Sequence, residues 1–222
     1  MRVRSFDDFW QLTLFARLFP VNTYLVAHPD GLILIDTGLP LSAAGIAKTI
    51  RRLGKPVTDI VLTHAHYDHA GSLDQLTAAF PRARVACSEL EAAALAGHAT
   101  TPHSPGSQAA APLPGRWIQT KTAPDDALSS GDRIGPLVVV PSPGHTPGHL
   151  SYFHEASGTL FTGDALQIRG GLAVAGDRRP TFPWVARATW DAATALDSAK
   201  QLADLPIRLL ATAHGEALPS PA

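Results

Sequence analysis

Three of the chain's ten histidines stand within six positions, in "THAHYDHAG" (63–71). His64, His66, Asp68 and His69 spell H-x-H-x-D-H at the end of a short apolar run, "DIVLT" (59–63). Neutral imidazole and carboxylate are ligands of borderline divalent ions, and side chains leaving a strand for a turn can converge on one point. A nitrogen and oxygen donor set without thiolate suits zinc, iron or manganese better than copper(I). Three further candidates follow other strand-like runs: His145 in "PSPGHTPGH" (141–149), Asp164 in "FTGDAL" (161–166) and His214 in "ATAHGE" (211–216). In layered α/β proteins the carboxyl-terminal edge of the strands is where sites collect.

The elements that must position these residues can be read from the same sequence. "LTLFARLF" (12–19), "VNTYLVAH" (21–28) and "LILID" (32–36) read as strands separated by Pro20 and "PDG". "LSAAGIAKTIRRLG" (41–54) reads as a helix with Ser42 as N-cap and Gly54 just past its end. "SLDQLTAAFP" (72–81) places Ser72 and Gln75 in capping-box spacing, and "ARVAC" and "ELEAAALAG" follow as strand and helix. Residues 98–126, rich in Ala, Pro, Thr and Ser, lack periodicity, which suits a substrate lid or a mobile segment. Strands are then expected over 135–142, 149–155 and 159–164, and a Gly/Pro-rich loop over 170–184. The longest helix is expected over 188–205, with Thr189 as cap, and a last strand over 207–215. A meander of strands followed by interleaved helices points to sheets covered by helices.

Composition sets the outer bounds. The 222 residues carry 18 basic and 19 acidic side chains, so no net positive charge draws in nucleic acid. No run approaches the roughly 18 apolar residues of a membrane span. Asp7 and Asp8 stand where an export signal would need an apolar stretch, and Cys87 is the only cysteine. These features predict a cytoplasmic protein whose partner is a small-molecule substrate, with neither nucleic acid nor membrane involved.

In order along the chain, "NTYLV", "LILIDTG", "THAHYDHAG", "PGHTPGH", "LFTGDAL" and "ATAHG" resemble the metallo-β-lactamase-fold hydrolase superfamily. The resemblance covers nearly the whole chain and implies one domain over 1–222. The implied fold is a four-layer αββα sandwich, two mixed β-sheets flanked by helices. It also implies two metal ions, taken here as Zn²⁺ with iron or manganese suiting the same donors. His64, His66 and His145 would hold the first, Asp68, His69 and His214 the second, and Asp164 would bridge them. Lactamase branches that use a cysteine ligand are not matched, because Cys87 lies elsewhere. His66 departs from the glutamate usual in the di-iron electron-transfer branch.

Two such cations, about 3.5–4 Å apart, bridge a water and lower its pKa towards neutrality. The resemblance therefore implies hydrolysis by a metal-bridging hydroxide, with Asp68 both binding an ion and steering the proton. Among the family's substrates, a small ester, thioester or lactone is expected, in the manner of its lactonase and glyoxalase II branches. Only "EALPSPA" follows "AHG", which puts a glutathione-binding extension in doubt. The persulfide-oxidising branch, with one iron, and a non-catalytic metal-stabilised ligand-binding module are the alternatives. Asp36 is expected to support a ligand, and His149 to be a buried structural histidine. His28, His98, His103 and His154 are expected in turns or at the surface, with His98 and His103 in the lid region. Phe182 and Trp184 are expected to pack or line a pocket, Tyr67 to pack or touch substrate, and Cys87 to be a small buried residue.

Overall fold

A computed structural model describes residues 1–100 and 112–219. Its first sheet holds β1 (Arg2–Ser5), β2 (Phe9–Leu14), β3 (Val21–His28), β4 (Gly31–Ile35), β5 (Val57–Val61), β6 (Arg84–Cys87) and β7 (Asp126–Ala127), in that spatial order. The first four strands pair antiparallel, and β4 through β7 pair parallel. The parallel crossovers run through α1 (Ala43–Leu53), α2 (Leu73–Ala79) and α3 (Glu89–Leu95). The second sheet holds β8 (Arg133–Ile134), β9 (Leu137–Pro141), β10 (Leu150–His154), β11 (Thr159–Gly163), β14 (Leu209–Thr212) and β15 (Leu218–Pro219). Among the described residues its one parallel pair is β11 with β14, which α5 (Ala192–Ala203) connects. A small ribbon of β12 (Leu166–Gln167) and β13 (Ala173–Val174) and the short α4 (Trp184–Arg187) stand between them in the chain.

Strand periodicity sets the layers. On β4, Leu32 and Leu34 pack on the helix side with Ile46, Ile50 and Leu73, while Ile33 and Ile35 face the second sheet. There they meet Val139, Tyr152 and Phe161. On the outer face of the second sheet, Phe153, Leu160 and Leu210 pack with Leu202 of α5. Helices, sheet, sheet and helix make the expected αββα sandwich, and each residue step along a buried strand switches layer.

The boundaries move for local reasons. The expected strand over 12–19 stops at Leu14, because Phe15 has φ +50 and the chain turns. Gly54 does close α1, in the left-handed region with φ 67. Ser42 does not cap it by side chain, and the Ser72–Gln75 capping box does not form. Ser72 Oγ instead donates to Leu39 O and accepts from Ala43 N–H, tying α2 to the start of α1. α5 begins at Ala192 with Asp191 as its cap, accepting from Thr194 N–H at 2.6 Å, so Thr189 is released for another task.

Candidate metal centre

Every expected ligand stands just after a strand. The histidine turn follows β5, Asp164 follows β11, His214 follows β14 and His145 follows β9. β4 through β7 run parallel in the first sheet and β11 runs parallel to β14 in the second, and all seven side chains meet at one rim of the sandwich. Three groups of ligand atoms lie within 4.8 Å of one another: His64, His66 and His145; His64, His69 and Asp164; and Asp68, His69 and His214. Asp164 faces both sides. Its Oδ2 lies 3.4 Å from His145 Nε2, and its Oδ1 lies 3.6 Å from His69 Nε2 and 3.3 Å from His214 Nε2. Asp68 Oδ2 is 3.6 Å from His214 Nε2.

The outward ring nitrogens fix the proton on each imidazole. His66 Nε2 faces Pro114 O at 3.3 Å and His214 Nδ1 faces Pro20 O at 2.7 Å. A carbonyl only accepts, so these nitrogens carry the hydrogen. His69 Nδ1 donates to Asp36 Oδ2 at 2.8 Å. Thr63 Oγ1 gives its proton to Asp36 Oδ2 and therefore accepts from His64 Nδ1. Thr189 Oγ1 gives its proton to Val185 O and accepts from His145 Nδ1 at 3.1 Å. Each of the five rings thus turns the basic nitrogen of its neutral form inward. His64 Nε2 and His66 Nδ1 stand 3.0 Å apart, and His66 Nδ1 and His145 Nε2 stand 3.1 Å apart. Lone pairs at that spacing repel unless something positive lies between them, and the spacing is close to the edge of about 3.3 Å in a tetrahedral zinc site. His69 Nε2 and Asp164 Oδ1 are buried without a hydrogen-bond partner among the described residues. Donor chemistry, spacing and orphaned atoms all fit metal ions.

Electrostatics divides the cluster. Burial pulls the pKa of His64 and His145 well below the ordinary range, reinforced by neighbouring imidazoles, and takes His66 down to about 4. Burial also opposes charge on His69 and His214, but Asp36 and Asp164 outweigh it for His69, and Asp164 and Asp68 for His214, so both are raised. Asp164 is held well below the usual carboxylate range: burial acts against this, and His214 and His69 overcome it.

The supporting residues are now specific. Asp36, with φ 59, accepts from Thr63 N–H, Thr63 Oγ1 and His69 Nδ1, which fulfils its expected role. His149 is structural, as expected: its Nδ1 meets Ser142 Oγ, and its Nε2 accepts Asp164 N–H at 3.2 Å. Cys87 ends β6 fully buried, as expected. Phe182 is buried beside Phe19 and His214, while half-exposed Trp184 lines the cleft. His98 is exposed, but His154 corrects its expectation, being buried in β10 and bonded to Ser157. His28 is half-buried and meets Thr58 Oγ1. His103 lies outside the described residues.

One residue was missed. Glu91, fully buried on α3, accepts Ala65 N–H at 2.8 Å and Thr146 Oγ1–H at 2.6 Å. It ties the turn carrying His64 and His66 to the loop carrying His145. Burial pushes its carboxyl up to about 7, against hydrogen bonds from Thr146, Ala65 and Gly148. The available signal was its position three and four residues before Ala94 and Leu95, on the apolar face of that helix. Another part of the segment expected to be a lid touches the cluster directly. Gly115, with φ 92, lies so close to His66 that a Cβ there would come within 2.3 Å of Nε2.

The family model of the metallo-beta-lactamase superfamily matches residues 16–214, and the chain belongs to that superfamily. With its histidine-rich metal site, it is a metal-dependent hydrolase of that family. The uncharacterized protein YobT of Bacillus subtilis (strain 168) is 45% identical over 222 residues, covering all of this chain and 94% of YobT. A hydroxyacylglutathione hydrolase of Synechococcus sp. (strain JA-2-3B'a(2-13)) is 30% identical over 149 residues, covering 66% of this chain but only 49% of that protein. Among solved structures, TTHA1623 in a di-iron-bound form superposes with a TM-score of 0.67 at 26% identity, covering 94% of this chain and 93% of that one.

Proposed function

We propose that this chain is a dinuclear hydrolase, zinc-loaded in its working form, that cleaves a small ester, thioester or lactone. The observation that carries this reading is the convergence of five inward-facing imidazole nitrogens around Asp164, whose carboxylate faces His145 on one side and His69 and His214 on the other. When bound, a metal pair supplies a water acidic enough to attack at neutral pH and a Lewis acid for the substrate oxygen. Asp68 is only half-buried and opens onto a cleft of about 310 Å³. In this reading its carboxylate takes the proton of the attacking water. Water's oxygen remains on the acid product, the acyl C–O or C–S bond breaks, and the alcohol or thiol leaves with a proton. Phe19 and Trp184 form an apolar wall for the rest of the substrate. Cys87 is not a competing nucleophile: burial raises its thiol to about 12. The likeness to a hydroxyacylglutathione hydrolase supports the thioester end of this range.

Elemental analysis of protein purified without added metal, followed by an ester, thioester and lactone panel, tests the proposal. Two equivalents of zinc and turnover of at least one class are expected. One equivalent of iron, with oxygen uptake on a persulfide and no hydrolysis, would replace hydrolase by oxygenase. A fully zinc-loaded chain inert to the whole panel would overturn the bond class.

A further inference from the structure

The cleft above the metal centre has two cationic walls. Arg116 and Arg187 both line it, together with Asp68, Asp164 and His214. Arg2, Arg4, Arg84, Arg133 and Arg179 are spent on carboxylates. Arg116 and Arg187 form no ion pair among the described residues, and residues 101–111 contain no Asp or Glu that could reach them. Instead each lies on an aromatic ring. The Arg116 guanidinium carbon sits 3.8 Å from the centroid of Tyr67, and that of Arg187 sits 5.3 Å from Trp184. Stacking occupies the flat face of a guanidinium and leaves its in-plane N–H fork available for an oxyanion.

Both side chains are also carried by backbone tied to the ligands. Arg116 O accepts Tyr67 N–H at 2.7 Å, and Tyr67 stands between His66 and Asp68. Arg187 ends α4, two residues before the Thr189 hydroxyl that orients His145. The fork positions are thus registered against the reacting centre. A cleft floored by Asp68 and Asp164 would repel an anion, and two arginines at its walls reverse that bias. Its volume, about 310 Å³, suits a small molecule.

We infer that the natural substrate carries a carboxylate or phosphate group that docks between Arg116 and Arg187 while its acyl carbon faces the metal centre. This rests on the hydrolase reading for its reaction, but not for its binding. The test uses the metal-loaded full chain and a matched thioester series ending in a carboxylate, a phosphate monoester or a neutral amide. We expect kcat/KM for an anionic member to exceed that of the amide by about tenfold or more. Whether carboxylate or phosphate leads identifies the group. Arg116→Ala and Arg187→Ala should each shrink the anionic-to-neutral ratio about tenfold with metal content intact, and the lysine variants should restore part of it. Arg133→Ala, whose side chain pairs with Glu155 away from the cleft, should leave the ratio at its wild-type value. Equal rates for charged and neutral members, or a ratio untouched by either alanine variant, would overturn the inference while leaving the hydrolase standing. If no member turns over, calorimetry decides. Glutarate or inorganic phosphate that binds wild type at least tenfold more tightly than both alanine variants supports the anion site, and binding indifferent to them overturns it.

Discussion

The two halves of the metal centre are built differently. The His64, His66 and His145 side is dry, all-imidazole and uncharged: its rings are deeply buried and their pKa values are depressed. The Asp68, His69 and His214 side contains a half-exposed carboxylate and two histidines whose pKa values are raised by aspartates. One side holds its geometry by packing and hydroxyl contacts, the other by charge. The first is suited to keep an ion, and the second to exchange ligands with the cleft. The carboxylate of Asp164 faces both.

Removing what is shared gives the largest effect. Asp164→Ala should lose both ions and lower activity by more than about 100-fold, read by elemental analysis and kcat/KM on one preparation. A variant that retained two ions would remove the bridge from the account. Separating the halves comes next. His145→Ala should leave the charged side loaded and His214→Ala the dry side, so each should retain one equivalent, with distinct Co²⁺ absorption spectra. Identical spectra would mean that the two sides are not independent. Supporting contacts rank below the ligands: Asp36→Asn, which weakens the acceptor of His69 and Thr63, should cost 10- to 100-fold in metal affinity, measured by competition with a chelator.

The smallest expected effect concerns the tie behind the dry side. Burial raises the Glu91 carboxyl in the fold to about 7, above its ordinary value of 4.5. The folded chain therefore binds this proton more tightly than the unfolded chain does. Its contribution is complete below about pH 4.5 and is lost as pH rises through about 7. In chelator-treated protein, the stability of wild type relative to Glu91→Gln should fall between pH 5 and 8, as followed by urea denaturation. A difference that stayed flat across that range would show that the Glu91 carboxyl has an ordinary pKa.

The same contrast explains what the sequence made legible. Four ligands in one turn are a local pattern, visible in "HAHYDH" without knowing the fold. His145, Asp164 and His214 are single residues after separate strands, and their partnership was readable only through the order of family-like motifs. The apolar run "LILID" marked a strand, but no local rule says which of its faces meets a second sheet. Caps failed where tertiary partners competed. Ser72 was recruited by Leu39 and Ala43, and Thr189 by Val185 and His145. Glu91 escaped notice because the second glutamate of "ELEAAALAG" looks like a solvated helix residue until Ala65 and Thr146 are folded onto it.

The bond from His214 to the carbonyl of Pro20 spans 194 positions of chain. It joins the turn after β14 to the residue before β3, and the ring it orients is the last of the seven candidate ligands along the chain. A ribosome-bound chain that has passed the histidine turn already displays four donors, yet it lacks the group that closes the charged side. The charged side therefore gains its full donor set only after His214 has been synthesised, so a chain cut between Asp164 and His214 should hold at most one ion.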